Sequence, residues 1–383
     1  MSKAEHAKPK KKKWVKWLII VPLALIGVLC VAAGGVAYYI LSKPDIDVYK
    51  KPTTYDGQDI LDHSLPEINE NEGSDPGTLP TLPAPSREEE EFSTGSQSDN
   101  PYSGMSLQEA MRRWCANGEA VSSSRVYNIL LIGVDDGRRA DSMMLMSINH
   151  DWKKITFASL LRDQFTYINT GKHAGYEKLN YAYFYGGGVQ AIKTIEAHYK
   201  VQIDNYAAID LAVFPSVIDR LGGVSMTLTQ AEADALGMTA GTHQLTGKQT
   251  LHYARLRKID SEEARTGRQR KVMMALLQKA RNLSLSDMSA IVEDVLPNIK
   301  TGLSKGEMLN MAAGFVGTWR SYSTQQMVMP IASDRIDDTI GGLFFWRVDY
   351  PRAAYSLQMA LYGKSNITLA SGRKRFTQLY VER

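Results

Sequence analysis

The stretch that decides the fold is residues 126–161, VYNILLIGVDDGRRADSMMLMSINHDWKKITFASLL. Three short apolar runs in it have the length of buried strands: 126–133, 143–148 and 155–161. The polar residues at 149–151 form a turn between the second and third runs. We therefore predict three neighbouring strands at the start of a folded domain.

Apolar runs of helix and strand character alternate further along the chain. The predicted helices are 188–199, 214–221, 246–252 and 267–283. Two further strands are predicted at 206–210 and 224–228. Because strands that alternate with helices pack as a sheet between helical layers, the sequence predicts an α/β fold.

A long apolar run near the N-terminus predicts a membrane anchor. No charged residue occurs between Leu18 and Leu41, which is long enough to cross a bilayer. A lysine cluster at 10–16 precedes it, so the positive-inside rule puts the N-terminus in the cytoplasm and the rest of the chain outside the cell membrane. A cleaved signal peptide is the alternative, although its apolar core is normally shorter.

These features divide the chain into five predicted regions. Ser106 and Glu109 form a capping box that starts a short helix within the predicted linker. The proline-rich, acidic part of that linker cannot bury enough apolar surface to fold, and we expect it to be disordered. The regions are a cytoplasmic basic tail (1–16), a transmembrane helix (17–41), an extracytoplasmic linker (42–124, with low-complexity 66–104 and the helix at 106–117), the predicted α/β domain (125–365) and a C-terminal tail (366–383).

The distribution of charge argues against a nucleic-acid partner. The formal net charge is +4, but residues 1–43 hold 8 of the 45 basic residues against a single acid. The remaining 37 bases face 40 acids, so the predicted domain carries no net positive field of the kind that nucleic-acid binding requires. The 2 cysteines are too few for a disulfide framework or a cysteine metal site.

Charged residues follow the first predicted strand, at the position where α/β sheets bind ligands. Asp135 and Asp141 could supply carboxylate oxygens to Mg²⁺, which takes one or two carboxylates together with substrate phosphate. Arg139 and Asp141 are two residues apart and would share one face of an extended strand. An ordinary acidic loop solvated by water is the alternative.

Arginines gather at three further positions. Arg162 and Asp163 directly follow the third strand, where a surface ion pair is the alternative. In an extended segment 253–257, Arg255 and Arg257 would point to one side and repel each other unless an anion lay between them. Arginine binds phosphate in a bidentate manner that lysine cannot match.

The third position is the predicted start of the helix that ends near Leu283. Arg265, Arg268 and Gln269 would lie on one face of that helix. Cations at a helix start oppose the macrodipole, and a bound anion would offset the conflict. A solvated basic face is the alternative. Together with the aspartates, this set of arginines suits a pyrophosphate: Arg139, Arg162, Arg255, Arg257, Arg265 and Arg268.

Several short motifs, in this order and spacing, resemble the LytR-CpsA-Psr family of Gram-positive cell envelopes. The resemblance covers roughly residues 125–363. It rests on the motifs at 128–135, 139–142, 161–163, 178–183, 186–188, 209–210, 221–224, 245–249, 253–257 and 265–269.

The family resemblance implies an α/β/α sandwich with a central mixed sheet. It also implies Mg²⁺-dependent transfer of a glycopolymer from undecaprenyl pyrophosphate to peptidoglycan, with Mn²⁺ as an alternative ion. Carried over by position, Asp135 and Asp141 would bind the metal, and Asp163 would orient Arg162. The pyrophosphate would be bound by Arg139, Arg162, Arg255 and Arg257, supported by Arg265, Arg268 and Gln269. The loop after Asp135 is shorter than in the family, which leaves Asp136 as an alternative ligand.

The implied mechanism is attack of a peptidoglycan hydroxyl on a phosphorus atom, with Asp141 or Asp163 accepting the proton. The implied catalytic set is Asp141, Arg162, Asp163, Arg255 and Arg257. The polymer would be teichoic acid or capsular polysaccharide. Two alternatives remain: a non-catalytic envelope regulator or scaffold, and a metal-dependent pyrophosphatase acting on the same lipid-linked substrate.

Overall fold

The computed structural model describes residues 101–135, 139–256, 259, 262–282, 299–303, 314–315, 317–369 and 373–382. The helices of these segments are α1 (Leu107–Ala116), α2 (Tyr181–Tyr199), α3 (Phe214–Arg220), α4 (Gln230–Leu236), α5 (Gly247–Arg255), α6 (Glu262–Arg281) and α7 (Tyr350–Tyr362). The strands are β1 (Val126–Asp135), β2 (Arg139–Asn149), β3 (Lys154–Leu160), β4 (Phe165–Asn169), β5 (Ala174–Lys178), β6 (Asn205–Asp210), β7 (Val224–Leu228), β8 (Gly241–Leu245), β9 (Ile299–Thr301), β10 (Ser323–Met329), β11 (Arg335–Ile340) and β12 (Leu343–Val348).

A six-stranded mixed sheet forms the centre of the fold. Its strand order is β10-β3-β2-β1-β6-β9. The strand β2 pairs antiparallel with both β1 and β3, whereas β1 with β6 and β10 with β3 are parallel pairs. The carboxyl ends of β1, β3, β6 and β10 therefore lie at the same edge of the sheet. Three two-stranded antiparallel sheets accompany it: the hairpins β4-β5 and β11-β12, and the pair β7-β8, whose strands are joined through α4.

Each face of the central sheet is covered by helices. Along β1, Ile129 and Leu131 contribute to one hydrophobic core, and Leu130 and Ile132 contribute to the other. The first core lies under α3, α5 and α6, and the second lies under α1, α2 and α7. Because every second residue faces the same side, strands buried on two faces read as continuous apolar runs. The predicted mixed sheet with flanking helices is confirmed.

The helix α5 approaches α3 so closely that a side chain would not fit at its first residue. A Cβ placed on Gly247 would lie 1.9 Å from the backbone oxygen of Pro215. The side chain of Thr246 caps α5 through the backbone N–H of Gln249, at 3.3 Å. The cap and the close approach of the glycine together fix where α5 begins.

Two segments assigned by sequence to the linker and the C-terminal tail contribute to the second core. The predicted capping box of Ser106 is present, and it starts α1. Leu107 and Met111 of α1 are fully buried, as is Phe376 in the tail. These segments also touch each other, since the Leu107 N–H donates to Tyr380 O at 2.8 Å. Their apolar residues share one side, which explains why they pack instead of remaining extended.

Two predicted helices begin earlier than expected. The helix predicted at 188–199 begins at Tyr181, and α2 is interrupted by non-helical backbone at Gly186 and Gly187. The helix predicted at 267–283 begins earlier, at Glu262. No helix among the described residues is long and apolar enough to cross a membrane. The predicted transmembrane helix at 17–41 and residues 66–100 of the predicted low-complexity segment lie outside the described residues.

Candidate active site

Charged side chains from several elements meet at the edge of the sheet where β1 and β3 end. The first residue of β2, Arg139, pairs with the last residue of β1, Asp135. The chain leaves β3 at Leu160 and continues into Arg162 and Asp163. We call this region the charged edge, and define it by the side chains of Arg139, Asp141, Arg162, Asp163 and Lys178.

A β-bulge at Asp141 shapes the charged edge. Gly133 pairs with Ser142 and Val134 pairs with Ala140, so Asp141 is the extra residue on β2. The regular alternation on which the prediction of one shared face for Arg139 and Asp141 was based is therefore interrupted. A bulge redirects a side chain while the strand continues. Here it turns the carboxylate of Asp141 toward the loop that follows β3.

Ion pairs connect the members of the charged edge. Arg162 Nη1 lies 2.6 Å from Asp141 Oδ1, and Arg162 Nε lies 3.4 Å from Asp163 Oδ2. The other oxygen of Asp163, Oδ1, lies 2.9 Å from Lys178 Nζ. These four side chains are only 12–24% exposed, so their charges are partly shielded from water. The predicted association of Asp163 with Arg162 is present in the structure.

Arg139 lies at the same edge but is more exposed than the ion-paired group. Its guanidinium carbon is 6.0 Å from the ring centroid of Tyr181, the first residue of α2. That distance is at the outer limit of a cation–π contact, so the contact holds the side chain weakly. An exposed, weakly held guanidinium can reorient toward an incoming anion.

An apolar cleft opens beside the charged edge, between the first face of the sheet and helices α3, α5 and α6. It has an empty volume of about 630 Å³, including its open mouth. Most of its lining is aliphatic or aromatic, as shown by Leu131, Met144, Ile209, Phe214, Leu251 and Val272. Three polar residues also line it: Ser142, Arg255 and Gln269.

The polar residues of the cleft connect it to the charged edge. Ser142 directly follows Asp141, and its hydroxyl donates to Gln269 Oε1 at 3.0 Å. The cleft and the ion pairs are therefore separated by a single peptide unit on β2. An amphiphilic molecule with an anionic head and an apolar tail would find complementary surfaces for both parts in adjacent positions.

Arg255 occupies a different local structure from the one predicted. It is the last residue of α5, and extended backbone begins only at Leu256. The prediction of an extended, alternating segment across 253–257 is thus wrong for Tyr253 to Arg255. The helix continues because Tyr253 is buried and its hydroxyl donates to Glu232 Oε1 at 3.1 Å. Arg255 is exposed at the cleft lining, and Arg257 lies outside the described residues.

The arginines of α6 are buried rather than open to solvent. The predicted common face is present, since Arg265 and Arg268 are only 3% and 2% exposed. Arg268 Nη2 donates to Leu256 O at 2.5 Å, which ties α6 to the residue that follows α5. The helix begins at Glu262, five residues before the predicted start, so Arg265 lies in its first turn and Arg268 in its second. Binding of an anion by these residues stays a prediction.

The residues present fit a magnesium ion. Among the described residues, no group of three or more His, Cys, Asp or Glu side chains converges. Mg²⁺ needs only one or two protein carboxylates when phosphate and water fill its other positions. Asp141 suits that role because its carboxylate is 24% exposed and reaches Arg162 through Oδ1. The side chain of Asp135, and Asp136 as its alternative, lie outside the described part of the structure.

Three residues of the site were not among the predicted site residues. Lys178, Ser142 and Tyr181 each contact a predicted residue, as described above. Lys178 and Tyr181 belong to the motif at 178–183, and Ser142 to the motif at 139–142, so their position in the sequence was a usable signal. Ser142 adjoins Asp141, but its contact with Gln269 joins residues 127 positions apart and has no local signal.

The comparison with known proteins establishes the family. The LytR_cpsA_psr family pattern matches residues 90–358, and the chain belongs to this family. The polyisoprenyl-teichoic acid–peptidoglycan teichoic acid transferase TagU of Enterococcus faecalis is 31% identical over 54% of this chain and 71% of its own length. TagU of Bacillus subtilis is 28% identical over 60% of this chain and 75% of its own.

Solved structures show the same fold. TagT bound to LIIa-WTA matches 64% of this chain and 97% of its own, with 25% identity and a TM-score of 0.53. Protein gbs0355 from Streptococcus agalactiae matches 65% of this chain and 92% of its own, with 25% identity and a TM-score of 0.55.

Proposed function

We propose that this protein is a Mg²⁺-dependent phosphotransferase that moves a glycopolymer from undecaprenyl pyrophosphate to a sugar hydroxyl of peptidoglycan. The observation that carries the proposal is the apolar cleft with the charged edge beside its mouth. Relatives named as teichoic acid transferases, and a TagT structure bound to LIIa-WTA, support the same reading. A polyprenyl chain is apolar and its pyrophosphate is anionic, so the two surfaces match the two parts of one lipid.

The residues divide the work between binding and positioning. The polyprenyl chain lies in the cleft, and the pyrophosphate lies at its mouth, near Arg255 and the charged edge. Arg162 is already partly desolvated and oriented by two carboxylates, so it loses little conformational entropy when it binds phosphate. Arg139 is free to turn inward. Arg268 has a positioning role: its hydrogen bond to the carbonyl of Leu256 holds the backbone next to Arg255.

Transfer forms one P–O bond and breaks another. The peptidoglycan hydroxyl oxygen attacks the phosphorus that carries the glycopolymer, and the bond from this phosphorus to the bridging oxygen breaks. The lipid monophosphate leaves with that oxygen. Asp141 or Asp163 accepts the hydroxyl proton. Magnesium, bound by Asp141 and Asp135, would supply positive charge that stabilises the phosphate oxygens. Phosphoryl transfer depends mainly on positioning and neutralisation, which is what the charged edge provides.

The surroundings of the site form part of the proposal. An anchor at 17–41 with its lysines in the cytoplasm would hold the catalytic domain on the outer side of the cell membrane. There the lipid-linked polymer and the peptidoglycan acceptor are both within reach. The transferred polymer is a teichoic acid or a capsular polysaccharide.

The test is a transfer assay with the purified full chain in detergent. The chain is incubated with lipid-linked glycopolymer, Mg²⁺ and peptidoglycan fragments, and the conjugate is measured. We expect conjugate formation that stops on addition of EDTA and falls at least 100-fold in Arg162→Ala. Arg125→Ala is the matched control, because Arg125 forms an exposed ion pair with Asp151 away from the site.

Two other results would contradict the proposal. Release of free phosphorylated glycopolymer at the same rate with and without acceptor would identify a pyrophosphatase. Binding of the lipid without any turnover would identify a scaffold or regulator.

A further inference from the structure

The hairpin β11-β12 carries an unusual share of the exposed apolar surface. In the described part of the chain, seven large hydrophobic side chains are more than one third exposed, and three of them lie in this hairpin. They are Ile336 (42% exposed), Leu343 (58%) and Phe344 (42%). Isolated exposed hydrophobic residues are common, but a cluster on one projecting element indicates an interaction surface.

The tip of this hairpin contains no charge over six residues, 339–344, with the sequence TIGGLF. Gly341 and Gly342 form the turn with φ angles of +59° and +80°, which a tight two-residue hairpin requires. Leu343 pairs with Ile340, and Phe344 pairs with Thr339. Adjacent strand residues point to opposite faces, so Leu343 and Phe344 make the tip apolar on both sides.

An apolar surface on both sides of a tip limits what can cover it. A flat protein or glycan partner would bury one face of the tip and leave the other in water. A lipid bilayer surrounds an inserted tip and covers both faces. Phenylalanine, leucine and tryptophan are also the residues that anchor proteins at the membrane interface. The ring of Trp346 contacts that of Phe344 edge to face, with centroids 5.2 Å apart.

The base of the hairpin is held firmly against the body of the protein. Arg347 pairs with Asp338 and also donates to the Thr377 carbonyl at 3.1 Å. The guanidinium of Arg335 lies 4.8 Å from the Trp346 ring centroid. The backbone N–H of Trp346 donates to the backbone oxygen of Asp163 at 2.9 Å. The tip therefore projects at a fixed position relative to the charged edge.

We propose that the tip of the β11-β12 hairpin inserts into the membrane surface and positions the charged edge at the level of the lipid phosphates. The inference rests on the proposed function, because a polyprenyl-linked substrate presents its pyrophosphate at that surface. Lys178 links the two features, since its ammonium lies 2.9 Å from Asp163 Oδ1 and 5.5 Å from the ring centroid of Phe345. Lys178 therefore connects the membrane-contacting hairpin to the charged edge that binds the substrate phosphates.

Insertion depth is measured with a spin label on the full chain in proteoliposomes. Leu343→Cys is labelled in a Cys30→Ser/Cys115→Ala background, so that the label attaches only at position 343. Trp152→Cys is the control, since Trp152 is 42% exposed at the turn between β2 and β3, at the opposite end of the sheet.

We expect the label at 343 to collide more with oxygen than with a water-soluble nickel complex, and the label at 152 to show the reverse. Water-like accessibility at both positions would overturn the proposal. Shielding at 343 that appears only when glycan fragments are added, or spin–spin broadening from a second copy, would also overturn it.

Activity separates this inference from the proposed function. The double variant Leu343→Glu/Phe344→Glu changes exposed side chains only, so it should fold. We expect its transfer rate from vesicle-embedded lipid substrate to fall about tenfold, and its rate with a soluble short-chain substrate to stay unchanged. Trp152→Glu should change neither rate. Equal loss with both substrates would contradict membrane positioning. If the unmodified chain transfers from neither substrate, the proposed function fails, and the depth measurement still decides the membrane contact.

Discussion

Replacing Asp163 by asparagine removes the carboxylate that Arg162 and Lys178 share at the charged edge. The Lys178 ammonium lies 2.9 Å from Asp163 Oδ1, and the two side chains are 23% and 12% exposed. At an effective dielectric constant of about 20, Coulomb's law gives a gross attraction of roughly 6 kcal/mol at that distance. Desolvation of two largely buried charges cancels most of this attraction.

The net coupling should lie between the values for exposed and buried pairs. Exposed pairs contribute about 0–1 kcal/mol, and breaking a buried pair costs about 3–5 kcal/mol. We therefore expect a coupling energy of about 1–3 kcal/mol from a double-mutant cycle of Asp163→Asn and Lys178→Met. For a domain of this size, each kcal/mol lowers Tm by about 2–4 °C. Thermal unfolding of the wild-type chain, the two single variants and the double variant measures this coupling energy.

An exposed ion pair provides the comparison for this cycle. Arg125 Nε lies 2.9 Å from Asp151 Oδ1, but both side chains are 60% exposed. The cycle of Arg125→Met and Asp151→Asn should give a coupling of at most about 1 kcal/mol. If both cycles gave the same small value, the partial shielding ascribed to Asp163 and Lys178 would be incorrect.

Three further predictions concern other parts of the molecule. Arg255→Ala should lower transfer at least 100-fold with Tm unchanged, whereas the exposed Arg320→Ala should transfer normally; equal rates would exclude Arg255 from the site. Burial lowers the pKa of His198 to about 3, so between about pH 6.5 and pH 3 the unfolded chain binds a proton that the folded chain does not. The free energy of unfolding therefore decreases as the pH is lowered, by up to about 1.4 kcal/mol per pH unit. In urea unfolding at several pH values, the His198→Gln variant should lose this pH dependence, and the variant at the exposed His252, His252→Gln, should keep it. The same pH dependence in both variants would show that His198 is not its source. Gly247→Ala should cost about 1–3 kcal/mol in urea unfolding through the clash with α3, and an unchanged midpoint would show that the two helices separate easily.

Local pattern predicted the elements of the fold well. The strand at Val224–Leu228 has the predicted bounds, and the runs around Ile129 and Met146 became central strands, because burial on two faces leaves an uninterrupted apolar signature. Tertiary contacts set the boundaries that pattern missed. The helix α5 extends to Arg255 because Tyr253 is anchored to Glu232, a residue 21 positions away that no local rule connects to it.

The candidate site was predictable in its residue types and less so in its geometry. Asp141, Arg162 and Asp163 meet as expected, since each follows or begins a strand at the same edge. The buried position of Arg268 could not be foreseen, because arginine in a charged run usually faces solvent and its partner here is a backbone carbonyl. The hairpin tip at 339–344 also escaped notice, since six uncharged residues do not form a recognisable motif.

The extra residue at Asp141 separates the pairing of β2 from the placement of its carboxylate. Gly133 pairs with Ser142 and Val134 pairs with Ala140, so the residues on either side of Asp141 already lie on opposite faces of the sheet. Deleting Asp141 would therefore restore regular pairing and leave the faces of the other β2 residues unchanged, but it would remove the carboxylate that pairs with Arg162. A deletion elsewhere in β2 would instead shift the register and exchange its buried and exposed faces.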